Sequence, residues 1–351
     1  VELDLVVVTA SRYGKSIEKE SVTVDVLSED LAKNTNATDL NELVQKSPGV
    51  VVADNQISIR GGSSYSYGVG SRTAVLTDGL NLMSSDFGEA QLNFAPIENV
   101  EQVEVIKGAS SVAYGSSALN GVVNVRTKWA SNETPETEIS NYFTLYGNPK
   151  RKELIWWDAY QPYQAGIFVN HRHKINNLQL VAGGNLHFFT SFLEDNNNFR
   201  LRANVKTRYI HPKKKGLSFG VNANVMRETN DRFFISQDLD TNAYRKEEGS
   251  EDRYWRTAVD PHLTYQNSNG HNFELKVRYL NIFRRGNDED PNAVDNTWMI
   301  DPQYQKSWQD GKWVLTTGLP ITTGWSRSNL YEGTRATIRL ASFVQGEFNI
   351  N

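Results

Sequence analysis

The sequence predicts a mainly β protein in which a small mixed α/β domain precedes a long series of antiparallel strands. Three observations support this fold class. Over the first third of the 351 residues, short strand-like segments alternate with short helix-like ones. From about residue 138, apolar and polar residues alternate with a period of two over long segments. Short polar turns separate these segments, which is typical of antiparallel sheets.

Composition excludes several classes of protein. The net charge of −4 and the pI of about 5.9 indicate no nucleic-acid partner. The absence of cysteine excludes disulfides, thiolate metal sites and lipoprotein acylation. Mean hydropathy is −0.54, and no run of 18 apolar residues occurs, which argues against a transmembrane helix. Transmembrane β-strands remain open, because alternation keeps their mean hydropathy low. The N-terminus lacks a basic region and a cleavage site, so we expect a mature or trimmed form if the protein is exported.

The N-terminal third predicts a mixed domain. Residues 22–27 alternate as a strand, and Ser28 begins a predicted helix as a side-chain cap. A second helix is predicted over 39–46, and it ends before Pro48. Residues 100–106 predict another strand. A segment of small residues then leads to a last strand at 122–125.

The remaining sequence predicts ten antiparallel strands. In 198–209, apolar residues at every second position face a strongly basic opposite set. Such strands suit either a soluble sheet or a membrane barrel, but their length reaches the ~9–11 residues that a tilted strand needs to cross a bilayer. Short connections alternate with mostly longer ones. The longer connections are chiefly 147–163, 227–254 and 284–296. The ten predicted strands are 138–146, 164–173, 178–188, 198–209, 217–225, 255–265, 273–282, 297–308, 313–323 and 337–348.

Five motifs in order resemble one known family. The stretch EVIKGASSVAYGSSALNGVVNV, residues 104–125, closely resembles the end of the plug domain of TonB-dependent outer-membrane receptors. Four earlier stretches also resemble that domain. They are the helix before PGV at 48–50, the IRG at 59–61, VLTDG at 75–79 and the segment APIENVE at 95–101.

The resemblance implies a plug inside a transmembrane antiparallel β-barrel of 22 strands, of which about ten are present here. It divides the chain into a segment at 1–12 that contacts TonB, a plug at 13–130 and an incomplete barrel at 131–351. The implied function is non-enzymatic, TonB-dependent import of a scarce solute across the outer membrane of a Gram-negative bacterium. An iron–siderophore is the first expectation, ahead of a glycan, a peptide or cobalamin. Implied partners are TonB, the solute, outer-membrane lipid or lipopolysaccharide and a surface lipoprotein, with no cofactor.

The resemblance also implies roles for particular residues. The segment DLVVVTA looks like a TonB box, which would add a strand to its partner; its alternative is a simple lead into the plug. Two loops would form the plug apices that contact ligand. The alternative is that they are ordinary surface loops. Arg60 and Lys107 would contact the barrel wall, or else be solvated; the family usually has Arg at the second position. The TonB-box residues are Asp4, Leu5, Val6, Val7, Val8, Thr9 and Ala10, and the apex residues are Tyr65, Tyr67, Asn81, Asp86 and Phe87.

Other sites and functions stay open at this stage. No catalytic constellation stands out, and no metal site is expected. His171 and His173 share one strand face, which we expect to line the polar lumen rather than to bind metal. Acidic loops at 238–242 and 288–295 could hold calcium or simply be solvated. Alternative functions are a structural component of an envelope complex and a soluble sugar-binding β protein.

Overall fold

The structure, a computed structural model, describes residues 6–53, 56–62, 72–85, 88–115, 117–158, 160–286 and 292–349. It contains a small mixed domain followed by a large antiparallel sheet. The described elements of the small domain are β1 (Val6–Val7), β2 (Lys15–Ser16), β3 (Val24–Ser28), α1 (Glu29–Asn34), α2 (Leu40–Val44), β4 (Val50–Ala53), β5 (Gln56–Ile59), β6 (Thr73–Thr77), β7 (Leu80–Asn81), β8 (Val100–Ile106), α3 (Ser111–Tyr114) and β9 (Gly121–Thr127), with 3₁₀ turns at Ile17–Lys19, Leu92–Phe94 and Ile97–Asn99.

A five-stranded sheet forms the centre of the small domain, in the order β3-β8-β9-β6-β7. Strands β6 and β9 are parallel, and the other neighbours are antiparallel. Both predicted helices are present. Ser28 caps the first as expected, since it accepts from Leu31 N at 3.2 Å, and Asp39 caps the second by accepting from Glu42 N at 3.0 Å. At Gly121 a Cβ would lie 2.2 Å from the carbonyl oxygen of Ile106, so only glycine lets β8 and β9 approach there.

The large sheet contains the predicted strands, all antiparallel. It begins at β10, the first strand after the small domain. Its described strands are β10 (Glu136–Leu145), β11 (Tyr163–Ile175), β12 (Leu178–Phe189), β13 (Asn198–Ile210), β14 (Leu217–Ser236), β15 (Lys246–Gln266), β16 (His271–Arg285), β17 (Ala293–Trp308), β18 (Trp313–Gly318), β19 (Ile321–Ser328), β20 (Thr334–Leu340) and β21 (Phe343–Phe348), with 3₁₀ turns at Lys152–Leu154 and Gln309–Gly311.

Two of the predicted strands are each broken into two pieces. Strand β17 pairs with β18 along one half and with β19 along the other. The break falls at Leu319-Pro320, where proline offers no N–H to the ladder. Strands β20 and β21 divide the last predicted strand in the same way, at residues 341–342. Both pieces continue one line of the sheet, so the count of ten strand lines is confirmed.

The expected loop at 227–254 is shorter than the sequence suggests. Strand β14 continues to Ser236 and β15 begins at Lys246, which leaves only 237–245 as a connection. Residues 227–232 are polar on both faces, so the period of two is hidden although the backbone still pairs, for example Asn230 with Asp252. We call the end of the sheet with the connections 211–216 and 267–270 the turn end. The opposite end, with 146–162 and 237–245, is the loop end.

The two faces of the large sheet differ sharply. One face packs on the small domain, and Met226, Tyr254 and Ile282 join its apolar core. The other face exposes large apolar side chains at every second position of the strands. They include Leu201, Val205, Phe219, Val221, Val225, Trp255, Val259, Phe273, Phe283, Trp298 and Ile300. An apolar outer face of this kind is typical of strands that contact lipid.

Candidate functional site

The segment predicted to contact TonB is docked against the small domain. Asp4 and Leu5 lie outside the described residues. Val6 and Val7 pair antiparallel with Ser16 and Lys15. Val7 and Thr9 are fully buried, so at least this part of the segment is folded rather than free.

One buried carboxylate holds the docked segment. Glu104 on β8 accepts from Val8 N at 3.0 Å and from Thr9 N at 2.6 Å, and it also accepts from the Thr9 hydroxyl. Arg126 lies 3.3 Å from the same carboxylate. Tyr114 donates to the Thr9 carbonyl at 2.7 Å. Because Glu104 is itself fully buried, these donors replace the water that an ionised carboxylate requires.

The residues that follow the docked segment connect it to the large sheet. Arg12 forms an ion pair of 3.0 Å with Asp301 on β17 and also donates to the carbonyl of Ala113. Tyr13 and Lys15 both contact Glu347 on β21, at 2.7 and 2.8 Å. Movement of the segment therefore breaks contacts with both parts of the chain.

Buried polar contacts join the small domain to the large sheet, and we call them the plug–wall seam. At its centre, Glu98 pairs with Arg202 on β13, and both side chains are fully buried. Arg202 Nε lies 3.2 Å from Glu98 Oε1, and Asn204 donates to the same oxygen at 2.5 Å. Arg202 also donates to the carbonyl of Asn93 at 2.6 Å. The two parts are thereby held in one register.

Further seam contacts surround this pair. Asp78 accepts from Thr127 N at 2.9 Å, from Thr127 Oγ1 at 2.6 Å and from Lys206 Nζ at 3.1 Å. Burial alone would raise the pKa of Asp78, but the Lys206 charge and the Thr127 hydrogen bonds outweigh it and hold that pKa below its usual value. Arg278 donates to the carbonyls of Leu80 and Asn81 at 2.9 and 3.1 Å.

Most of the predicted apex residues lie outside the described part of the chain. These are Tyr65, Tyr67, Asp86 and Phe87. Asn81 is half-buried, and its side-chain oxygen accepts from Met83 N at 2.9 Å. Nearby Ser85 donates through its hydroxyl to Asp295 on β17 at 2.6 Å. The ligand-contact role of the five residues stays a prediction.

Arg60 and Lys107 have partners inside the small domain. Lys107 donates to the carbonyl of Pro48 at 2.7 Å and pairs with Asp25. Arg60 donates to the carbonyl of Lys107 at 3.1 Å. Partial burial raises the pKa of Asp25, but hydrogen bonds from Lys107 and Ser47 lower it below its ordinary value overall. The predicted wall contact of Arg60 and Lys107 is not tested by these bonds and stays a prediction.

The expected lumen position of His171 and His173 is wrong. They share a face of β11 with the exposed Ile167 and Val169, whereas Asn170, which precedes His171, has the opposite parity, points inward and donates to Asn99 at 2.9 Å. In the acidic loop at 238–242, Asp238 accepts from Asp240 N and Asn242 N at 2.7 and 2.9 Å, and these bonds form a local turn. The acidic residues 288–290 of the other predicted loop lie outside the described residues.

The seam and Glu104 were not among the predicted site residues. The sequence contains one signal for the seam, namely the basic side chains at 200, 202, 206 and 208. A strongly basic inner face requires acidic partners when it is buried. In the described part of the chain, no group of three or more His, Asp or Glu side chains is arranged to hold a metal. None of the described helices is long and apolar enough to span a membrane.

Comparison with known proteins shows which family the small domain matches and which folds the chain resembles. Residues 16–122 match the TonB-dependent receptor plug domain. The whole described fold is similar to the ferric citrate transporter FecA, with a TM-score of 0.76 at 15% identity over 96% of this chain and 55% of FecA. It is also similar to the ferripyoverdine receptor of the Pseudomonas aeruginosa outer membrane, with a TM-score of 0.73 at 13% identity over 99% of this chain and 52% of the receptor. The small domain thus matches the plug-domain family, and the large sheet has the fold of part of such receptor barrels.

Among sequence relatives, the chain is similar to vitamin B12 transporters named BtuB. It is 31% identical to the Vibrio vulnificus protein (strain YJ016) over 160 residues, which are 44% of this chain and 24% of that transporter. A Vibrio cholerae BtuB is 30% identical over 141 residues, which are 38% of this chain and 22% of that transporter. The chain therefore spans about a quarter of the curated relatives and about half of the solved receptors.

Proposed function

We propose that the protein is a non-enzymatic active importer in the outer membrane of a Gram-negative bacterium. Residues 1–12 would contact TonB, 13–130 form the plug and 131–351 supply part of the barrel wall. The observation that carries the proposal is the docked segment at 6–10, which lies at the turn end of a plugged sheet. A short, strand-forming segment there is suited to pairing with the sheet edge of a periplasmic partner.

Transport would follow from the arrangement of the docked segment and the seam. Ligand would bind the plug apices and loops at the loop end, on the extracellular side. TonB would then pull on the docked segment. That pull would be transmitted to β8 through Glu104 and to the wall through Arg12 and Lys15, and it would open a path between plug and wall.

A polar cavity between plug and wall supports this route. Its volume is about 270 Å³, and it lies beside Val8 and Arg12 of the N-terminal segment. Trp129 and His262 also line it, and in the described structure neither ring nitrogen of His262 has a hydrogen-bond partner. A water-accommodating space at this position lets a small displacement of the plug widen an existing opening.

The solute we propose is a compact metal chelate. A ferric siderophore is the first choice by frequency within this class of receptor. Cobalamin is the second, because the sequence relatives are vitamin B12 transporters. The import partners would be TonB and this solute. A surface lipoprotein would be a further partner at the loop end.

Deletion of residues 4–10 tests the proposal. We expect uptake of labelled ferric siderophore or cyanocobalamin to stop while binding to whole cells remains, because the deletion removes the TonB contact and leaves the loop end intact. The control is the unaltered protein in cells that lack TonB, which should show the same split between binding and uptake. Normal uptake by the deletion variant would overturn the TonB assignment. If the unaltered protein neither bound nor took up any solute tested, a structural role would be favoured.

A further inference from the structure

The polar cavity beside the N-terminal segment contains one cation without a counter-charge. Arg208 on β13 lines this cavity, together with Trp129, which lies between β9 and β10. Arg208 Nε donates to Gln179 Oε1 at 2.7 Å, and its guanidinium carbon lies 4.3 Å from the centre of the Trp129 ring. Among the described residues, no carboxylate pairs with Arg208. Because a partly buried charge without a partner is costly, this guanidinium is suited to a bound anion.

The other charges around the cavity are already paired. Every carboxylate that lines it has a cationic partner at a distance between 2.5 and 3.1 Å. The pairs are Asp78 with Lys206, Asp301 with Arg12, Glu274 with Lys276 and Asp260 with Arg278. The one positive charge left over matches a single carboxylate group. A phosphate carries close to two negative charges at neutral pH, and its second charge would lie near these acidic side chains.

Neutral polar groups complete the site. Neither ring nitrogen of His262 has a hydrogen-bond partner in the described structure, and neither has the side-chain oxygen of Asn222. The His262 ring centre lies 5.6 Å from that of Trp129, so one indole contacts both His262 and Arg208. A neutral imidazole always offers one N–H donor. A guanidinium binds the two oxygens of a carboxylate in a fork, and this N–H supplies a further donor beside it.

The site lies at the turn end, beneath the docked segment. Arg208 is two residues from the end of β13, and His262 is four residues from the end of β15. Val8 and Arg12 line the same cavity, so the segment supplies part of its wall. The volume of about 270 Å³ is slightly below the roughly 300–1,000 Å³ of pockets that enclose a whole drug-sized ligand. The space therefore suits a small acid or one arm of a larger solute.

We propose that this cavity binds a carboxylate group, which Arg208 and His262 hold against the docked segment. This inference rests on the proposed function and deepens it. A chelate with carboxylate arms is held here after it passes the plug, and withdrawal of the segment by TonB opens the site. A free carboxylate of the periplasm carries the same group and is the other source. Since the segment forms part of the wall, bound carboxylate and docked segment stabilise each other by the same factor.

The test measures release of the segment in the whole protein with a Val7→Cys reporter. Val7 is fully buried while the segment is docked, and the 351 residues contain no cysteine, so maleimide labelling reports undocking. Labelling is timed with saturating butyrate and with butyramide, which has the same shape but no charge. Two variants are compared in this background. Arg208→Gln removes the charge, and Asn222→Asp keeps the side-chain size but places a competing carboxylate in the cavity.

Lys214→Gln is the matched control. It removes one positive charge at the same end of the sheet, and Lys214 also lies over an aromatic ring, with its Nζ 4.9 Å from the centre of Tyr265. Lys214 does not line the cavity. Heat-modified mobility on gels verifies that each variant is folded.

We expect butyrate to slow labelling about fivefold in the reporter protein and in the Lys214 control, which is the low end of coupling between two sites. Butyramide should not slow it. In the Arg208→Gln and Asn222→Asp variants butyrate should have no effect. The proposal is overturned if butyrate has no effect on the reporter protein, if butyramide acts equally, or if butyrate slows labelling as much in Arg208→Gln as in the control.

Uptake by whole cells separates the two sources of the carboxylate. A lower maximal rate of ferric citrate uptake by Arg208→Gln, with unchanged binding to cells, assigns the site to the chelate. Unchanged uptake together with a lost butyrate effect assigns the same site to a free carboxylate. If the unaltered protein imports none of the solutes tested, the proposed function fails, whereas the labelling experiment still decides whether the cavity binds a carboxylate.

Discussion

At the scale of single residues, Glu104 decides whether the N-terminal segment is docked. Its carboxylate receives three donors from Val8 and Thr9 and is shielded from water. Charge-assisted hydrogen bonds of this kind contribute about 1.5–3 kcal/mol each. Glu104→Gln keeps the side-chain shape but removes the charge and one acceptor oxygen. We expect the segment to leave its site much more often in this variant.

Cysteine labelling measures this release, since the chain contains no cysteine of its own. A single Val7→Cys reporter is buried while the segment is docked, so its reaction with a maleimide requires undocking. We expect labelling at least tenfold faster with Glu104→Gln than without it. Glu101→Gln is the control, because Glu101 lies on the same strand but its side chain is 46% exposed, with Arg126 at 3.7 Å. Equal labelling rates in the two variants would show that Glu104 does not hold the segment.

At the scale of elements, the contact between the 3₁₀ turn Ile97–Asn99 and strand β13 fixes the plug against the wall. Glu98→Ala leaves Arg202 buried without its carboxylate, and removal of one partner of a buried pair costs about 3–5 kcal/mol. We expect faster amide hydrogen exchange in the peptide that contains residues 97–103, measured by mass spectrometry. Slow exchange unchanged from the unaltered protein would contradict the assigned role of this pair.

A second variant separates a lost ion pair from a general loss of folding. In the double variant Glu98→Ala with Arg202→Met, no charge remains unpaired, and apolar replacement of buried pairs is often neutral or stabilising. Exchange in this peptide should therefore return toward the unaltered rate. Glu133→Ala is a surface control, because Glu133 is 77% exposed and lies 3.6 Å from Lys174. It should leave the exchange unchanged.

The sequence predicts these elements well where one face is apolar and poorly where both faces are polar. Strand β13 runs from Asn198 to Ile210, and its predicted end at 209 is one residue short. The prediction is this close because apolar residues alternate along the outer face of the strand. Strand β14 extends eleven positions beyond its predicted end at 225, to Ser236, through residues without alternation. The contact between Glu104 and Thr9 joins positions 95 apart. In the sequence Glu104 is one polar position of an alternating strand, so no local pattern identifies its partner.

At the scale of the whole molecule, the proposed import requires the plug to move relative to the wall. An engineered disulfide between the two should therefore stop it. Ser85 of the plug faces Gly324 on β19, where a Cβ would lie 3.0 Å from the Ser85 Cβ. Disulfides need about 3.5–4.5 Å between Cβ atoms, so a displacement of roughly half an ångström accommodates the bond. These 351 residues contain no cysteine, so Ser85→Cys and Gly324→Cys have no competing thiol within them.

With this pair oxidised, we expect uptake of the labelled solute to fall more than tenfold while its binding to cells is retained, and reductant should restore uptake. The Ser85→Cys variant alone serves as the control, because it loses the hydrogen bond to Asp295 but cannot form the crosslink. Full uptake by the oxidised pair would mean that solute passes without separation of the plug loop at Ser85 from β19. In that event the path would have to open elsewhere, and the cavity beside Arg12 and Trp129 is where a second crosslink would be placed.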